Sequence, residues 1–368
     1  MTTELAGRIV LPGAVVPGRV RIGDGRIVDV IPDPMARGRY LAPGFIDLHV
    51  HGWGGHDAMD GADALRGMAR ALLARGVTAF LPTAVSAPLD ELRRFARDVR
   101  LVMAAPTGAA AEALGFNLEG PFLAPARRGA HDASRLLRPS DTAAGQLDGL
   151  LDGLRLITIA PELDGARELI ALLSGRGVVV SLGHSDATAA QARAGYDAGA
   201  RSTTHLFNAM PGIDHRRPGL AVAALADAAV AVELIADGRH VDPALSPLVL
   251  RAKANGGVLL VSDAIAPGGT SATRARLGGL EIDVHDGQAT LAGTDTLAGS
   301  LIALDDAIRN LVGAGVSLST AVAMASHDPA RVLGVADRGE IAAGRRADIV
   351  ELDDALRVTG VLVGGIRA

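Results

Sequence analysis

GFIDLHVH (44–51) is a β-prone run that ends on two imidazoles, His49 and His51. Residues two apart on a regular strand point to the same face, so both rings leave the strand together. Runs of similar texture follow at VTAFLPT (77–83), LGFNLEG (114–120), LRLITIA (154–160), VVVSLGH (178–184), ARSTTH (200–205), AVAVELIAD (229–237) and GVLLVSD (257–263). Between them lie Ala/Leu/Arg-rich stretches of helical length, clearest at 62–74, 89–103, 164–174, 186–197 and 241–254, with surplus helices at 300–312 and 317–325. Near-continuous apolar strands alternating with helices are the pattern of a parallel sheet, and eight such units are what a closed barrel requires. The fold class predicted is α/β: a (β/α)8 TIM-type barrel. An open, doubly wound sheet is the alternative. Against it, no GxGxxG follows the first strand, and no GxxxxGK[ST] occurs anywhere.

The chain ends have a different grammar. RIV (8–10), RVRI (19–22) and GRIVDVI (25–31) are short β-prone runs separated by Gly and Pro, and ADIVEL (347–352) and VTGVLVGG (358–365) repeat that texture. Neither end is long enough for its own core. The economical reading is one small β-sandwich domain built from residues 1–40 and 336–368, with the barrel occupying 41–335.

Composition narrows the function. The 368 residues are 49% hydrophobic and 21% charged, enough apolar material for a large core and unlike a disordered chain. One Trp, two Tyr and six Phe offer no aromatic platform for nucleic acid or glycan. Lys+Arg total 36 against 41 Asp+Glu, a net charge of −5, so no positive field steers a phosphate backbone inward. The absence of Cys excludes thiolate metal sites and a Cys nucleophile and fits a reducing cytoplasm. MTTELAGRIV lacks the layout of a signal peptide, and no apolar run is long enough to span a bilayer. The expectation is a soluble, cytoplasmic protein that binds neither nucleic acid nor membrane.

The placement of the polar residues carries the chemistry. His49 and His51 end strand one, Glu119 strand three, His184 strand five, His205 strand six and Asp263 strand eight. In a (β/α)8 barrel these ends share one rim, where active sites are built. Neutral imidazole and carboxylate suit a borderline divalent ion such as Zn²⁺, which acidifies water and polarises a carbonyl. A nearby carboxylate would take the proton of the attacking water. Singly, Asp263 also fits a helix N-cap and Glu119 a turn cap; six coincidences on one rim favour a catalytic metal site.

Further polar groups fall on the same side: His131 in RRGAHD after strand three, Asn208 in THLFNAMP, Arg216 and Arg217 in DHRRPG, and His240 in ADGRHVD. An Asn with a basic cluster suits a small anionic substrate, since Arg binds phosphate or carboxylate in bidentate fashion. Arg216 and Arg217 equally fit a solvated surface pair, and His240 a loop His bonded to backbone.

APGFIDLHVHGWGG (42–55), NLEGPFL (117–123), RRGAH (127–131), SLGHSDAT (181–188), TTHLFNAMPGI (203–213), IADGRHVDP (235–243), LVSDAIAPGG (260–269), TLAGS (296–300) and GEIAAGRRADIVELD (339–353) run in order through nearly the whole chain. In these segments the chain resembles the N-acetylglucosamine-6-phosphate deacetylase family of the amidohydrolase superfamily. The resemblance implies that Glu119, His184 and His205 hold the metal shared by the family. It implies that Asp263 is the base that activates the hydrolytic water and later protonates the amine, and that His131 contacts the acetamido carbonyl. Asn208, Ala209, Arg216 and His240 map onto the sugar-phosphate contacts.

The family is usually dimeric, with the Arg donated across the dimer to the neighbour's phosphate, and Arg216 aligns better than Arg217 because it lies two residues before Pro218. Because His49 and His51 are retained, a second ion bridged through Glu119 is chemically possible, giving one or two divalent ions, Zn²⁺ by expectation, per subunit.

The implied activity is hydrolysis of the acetamide of N-acetyl-D-glucosamine 6-phosphate to D-glucosamine 6-phosphate and acetate. The partner is thus a small phosphorylated amino sugar. The alternatives are a deacetylase for N-acetylgalactosamine 6-phosphate or another N-acyl amino-sugar phosphate and, from a different class, a non-catalytic sugar-phosphate sensor.

Overall fold

Eight parallel strands form at the expected places: Phe45–Val50, Val77–Ala84, Phe116–Glu119, Leu154–Ile159, Val179–Leu182, Ser202–Thr203, Ala231–Leu234 and Val258–Leu260, here strands one to eight. They hydrogen-bond in sequence order. The first and last meet at their C-terminal ends, where Asp263 N–H donates to His49 O and His51 N–H to Ala264 O, both at 2.8 Å. At the opposite end Ile46 N–H instead donates to Ala325 O. The result is a nearly closed barrel with its seam drawn shut at the rim that carries the histidines. The computed structural model describes residues 3–105, 109–254 and 256–368.

Alternation along the strands separates two apolar layers. Val77, Phe80, Val232, Leu234, Val258 and Leu260 pack outward against helix residues such as Leu72, Phe95 and Ile308. Ala79, Leu81, Leu156, Ala231, Leu259 and Val261 form a separate inner cluster, reached from below by Ala330 and Leu333. Helices Ala62–Leu73, Leu89–Ala104, Ala166–Ser174 and Ala189–Asp197 match the expectation closely. The stretch read as one helix over 241–254 is a 3-10 turn, Pro243–Leu245, running into Ser246–Ala252. Pro247 stands in its first turn, where a missing N–H costs nothing.

Two helices and a small sheet are among the elements that escaped the sequence reading. Helix Leu220–Ala226 follows strand six, and His327–Val332 follows the surplus helices. A three-stranded antiparallel sheet, Arg274–Leu277, Leu280–His285 and Gln288–Leu291, stands after strand eight. The C-terminal end of Leu220–Ala226 is closed by the chain's single lysine. Lys253 is buried, and its ammonium donates to the carbonyls of Ala224, Asp227 and Val230.

The terminal strands form a separate mixed sheet of seven strands. Tyr40–Pro43 joins its halves, running parallel to Thr3–Leu11 and antiparallel to Ile349–Leu352. Ile9, Val20, Ile22, Leu41, Ile349 and Leu362 are its buried core. Arg338, buried, donates to Asp337 and to Glu112, whose short strand pairs with barrel strand two, so a charged clamp joins sheet to barrel. Among the described residues no helix is long and apolar enough to cross a membrane.

Candidate active site

One step beyond the inner apolar cluster, the side chains turn polar. Leu81 is followed two residues later by Thr83, Leu156 by Thr158, Ala231 by Glu233 and Val261 by Asp263, all buried. The period of two therefore places Glu233 and Asp263 in the barrel with the strand-end histidines. Three site residues sit where the chain leaves a strand with left-handed backbone: His184 (φ 47°), His205 (φ 29°) and Asp263 (φ 50°). For non-Gly residues this costs roughly 1–3 kcal/mol each and is typical of functional sites.

The side chains converge on Glu119. Its Oε1 lies 3.0 Å from both His184 Nε2 and His205 Nε2, which are 3.0 Å from each other. On the other side, His49 Nε2 and His51 Nε2 are 3.2 Å apart, and lie 3.5 and 3.3 Å from Asp263 Oδ1. They are 3.4 Å from Glu119 Oε1 and 3.2 Å from Glu119 Oε2, respectively. Around a tetrahedral ion with bonds of about 2.0–2.1 Å, neighbouring ligand atoms lie roughly 3.3 Å apart. Both groups have that spacing and share Glu119, so the donor set fits a divalent metal.

Hydrogen bonds on the far side of each ring sharpen the point. His49 Nδ1–H donates to Glu233 Oε2 at 3.0 Å, His51 Nδ1–H to the Thr83 carbonyl at 3.2 Å, and His184 Nδ1–H to the Arg127 carbonyl at 2.8 Å. Each acceptor fixes the proton on Nδ1 and leaves Nε2 with a bare lone pair, the arrangement of ligating histidines. Lone pairs facing one another at 3.2 Å repel unless a cation lies among them. His205 Nδ1 is buried without a partner among the described residues.

His131 is arranged the other way. Ser86 N–H donates to His131 Nδ1 at 3.2 Å, with Ser86 Oγ at 2.9 Å. The proton is thereby on Nε2, which donates to Glu119 Oε2 at 3.1 Å. His131, Glu119 and His184 are close enough together to suggest a metal triad, but the protonated Nε2 makes His131 a hydrogen-bond donor rather than a ligand.

Electrostatics favour cations here. For His51, burial works against the charged ring, yet the carboxylates of Asp263 and Glu119 outweigh it and draw the imidazole up to about 9. His49 is raised in the same way. His184, dominated by burial and flanked by His131 and His205, is pushed down to about 4. Burial would raise the Glu119 carboxyl, but the surrounding imidazoles hold it well below the usual range. The carboxylates of Glu119 and Asp263 that raise His49 and His51 attract a divalent ion for the same reason.

His51, Glu119, His131, His184, His205 and Asp263 open onto a cavity of about 370 Å³, also lined by Asn208, Ala209 and His240. Leu277, Asp295, Thr296 and Leu297 from the inserted sheet and the loop after it form another wall. His240 Nδ1–H donates to Asp237 Oδ2 at 2.7 Å. Of the expected site residues, two do not line this space: His49, fully buried behind it against Glu119 and Asp263, and Arg216. Arg216 lines a separate surface hollow with Arg127, Arg193 and Arg217.

The amidohydrolase family model matches residues 40–367. The chain belongs to the amidohydrolase family. This amidohydrolase is 39% identical to the N-acetylgalactosamine-6-phosphate deacetylase of Escherichia coli O157:H7, over 94% of its own length and 93% of the relative's. It is 37% identical to the N-acetylglucosamine-6-phosphate deacetylase of Homo sapiens, over 95% and 88% of the two lengths. A solved structure of the Mycobacterium smegmatis N-acetyl-D-glucosamine-6-phosphate deacetylase, an Asp-to-Ala mutant in complex with N-acetyl-D-glucosamine-6-phosphate, matches it with a TM-score of 0.91 and 38% identity. That match covers 100% of this chain and 99% of the other. This amidohydrolase is closely related to N-acetylglucosamine-6-phosphate deacetylase.

Among the site residues absent from the sequence reading, Glu233 and Ser86 contact the histidines directly. Glu233 carried a readable signal, a carboxylate in the middle of the apolar run AVAVELIAD. Ser86 carried none, because it acts on His131 partly through its backbone N–H.

Proposed function

We propose that this amidohydrolase removes the acetyl group of N-acetyl-D-glucosamine 6-phosphate, giving D-glucosamine 6-phosphate and acetate. The observation that carries the reading is the opposite protonation of His131 and the ligand histidines around one glutamate: acceptors are gathered on a cation site, with a single imidazole donor beside it. Glu119, His184 and His205 would hold one ion and His49, His51, Asp263 and Glu119 a second. Bound there, a divalent ion, zinc in our reading, supplies Lewis acidity that polarises the amide carbonyl and acidifies water.

The chain's own groups do the rest. His131 Nε2–H donates to the carbonyl oxygen as negative charge develops on it. Asp263 takes a proton from the attacking water and returns it to the amide nitrogen as the C–N bond breaks. Asn208, the Ala209 backbone and His240 bind the sugar phosphate. Arg216, outside its own cavity, reaches the phosphate of a second copy in a homodimer. One ion suffices for turnover, and the loaded protein holds two. Division of the chain into 1–40 with 336–368 and 41–335, and a cytoplasmic location, complete the proposal.

The galactosamine epimer is the second reading, favoured by the 39% identity to the Escherichia coli O157:H7 N-acetylgalactosamine-6-phosphate deacetylase. Acetate release by zinc-replete protein separates the two. The expected result is a kcat/KM for N-acetyl-D-glucosamine 6-phosphate about 100-fold above both its epimer and the unphosphorylated sugar, a difference of about 2.7 kcal/mol. A preference for the epimer transfers the assignment to it. No hydrolysis of any of the three with metal bound sinks the substrate class.

A further inference from the structure

Glu233 lies on strand seven, between Ala231 and Ile235 of the inner apolar cluster, and is fully buried. A single oxygen of its carboxylate serves both halves of the centre. Oε2 accepts from His49 Nδ1–H at 3.0 Å and from the backbone N–H of His205 at 3.2 Å. His49 belongs to the group completed by His51 and Asp263, whereas His205 belongs to the group completed by His184, and Glu233 contacts both from strand seven without belonging to either. The other oxygen, Oε1, is buried with no hydrogen-bond partner among the described residues.

A buried carboxylate needs compensation, and two donors on one oxygen are little for a full charge removed from water. What the position supplies is direction. The carboxylate keeps the His49 proton on Nδ1, turns Nε2 toward Glu119 and Asp263, and makes that nitrogen more basic. Through the His205 amide it also fixes the left-handed turn that swings the His205 ring out of strand six.

We propose that Glu233 is a positioning residue that couples the two halves of the metal centre, so that the affinity of both for a divalent ion depends on one carboxylate that binds none. The inference rests on the reading of this cluster as a metal centre.

The test uses the full-length protein freed of metal and zinc-binding measurements against a chromophoric chelator, with no sugar present. Glu233→Gln keeps an acceptor oxygen in place, and Glu233→Met keeps the volume without one. The expected result is a zinc dissociation constant about 10- to 100-fold higher in Glu233→Met, with Glu233→Gln between it and the parent. A Glu233→Met protein that folds and binds zinc within about threefold of the parent overturns the proposal.

Should both variants fail to fold, imidazole ¹⁵N spectra of the zinc-loaded parent decide. A proton on His49 Nδ1 supports the assignment, and its absence overturns it. Unchanged zinc affinity in a variant that folds sinks the coupling and leaves hydrolysis standing. Lowered affinity in a protein inert toward every acetamido sugar phosphate does the reverse.

Discussion

The Ser86 backbone N–H donates to His131 Nδ1 at 3.2 Å, and this one contact makes His131 a proton donor toward Glu119 while its neighbours face inward with bare nitrogens. A donor aimed at a developing oxyanion is worth about 10²–10³ in kcat. His131→Gln is therefore expected to lower kcat by that factor, with KM nearly unchanged and the bound metal per protomer intact. Elemental analysis alongside steady-state acetate release checks this. Loss of an ion on replacing His131 contradicts the donor assignment.

Asp263 contacts both His49 and His51 and opens onto the cavity. Replacing it by Asn keeps the side chain's shape and removes its capacity to carry a proton. Asp263→Asn should retain sugar-phosphate binding by calorimetry and lose about 10²–10⁴ in turnover. Near-normal turnover removes Asp263 from the mechanism.

Glu119 touches both halves, whereas His49 touches one. His49→Ala is expected to leave one ion per protomer and measurable turnover, and Glu119→Ala to leave neither. Two ions in His49→Ala, or an inactive single-ion preparation, refutes the division of labour. Metal content titrated against activity is the measurement.

The Asp57 carboxyl, in the hairpin that follows His51, is raised from 3.8 to about 6 chiefly by burial. A raised acid binds its proton more tightly in the folded chain, so its cost to stability is absent below about pH 4, grows between about 4 and 6, and is complete above that. The full shift corresponds to about 3 kcal/mol, and partial exposure reduces the expectation to about 1–2. Asp57→Asn, which keeps the acceptor for the Met59 N–H, should gain that amount at pH 8 and almost nothing at pH 4. Urea unfolding of both proteins at the two pH values measures it; an equal gain at both removes the titration argument.

The barrel was legible because its strands are apolar runs that stop on a polar residue, and the same feature exposed the ligands. Strand three ends on Glu119 in the structure as it does in LGFNLEG. Helix Leu220–Ala226 was hidden in a continuous apolar stretch without amphipathic period. The inserted sheet was hidden for the opposite reason: RARL and LEIDVH are interrupted by charges and QATL is short and half polar. Its turns were nevertheless written in Gly278-Gly279 and Asp286-Gly287, each between paired strand ends and each a strong two-residue hairpin signal. What no sequence displays is the set of backbone groups, the Thr83 and Arg127 carbonyls and the Ser86 amide, that decide which nitrogen of His51, His184 and His131 carries the proton.

Lys253 bears the one side-chain amine in the chain, locked against three carbonyl oxygens. Amine-reactive dyes added to the native enzyme therefore meet little beyond the chain terminus, while the proposed reaction liberates one primary amine per turnover. Fluorogenic amine labelling should follow product formation continuously against an almost dark protein background. The same burial makes dye uptake at Lys253 a direct report of local opening around the helix it closes.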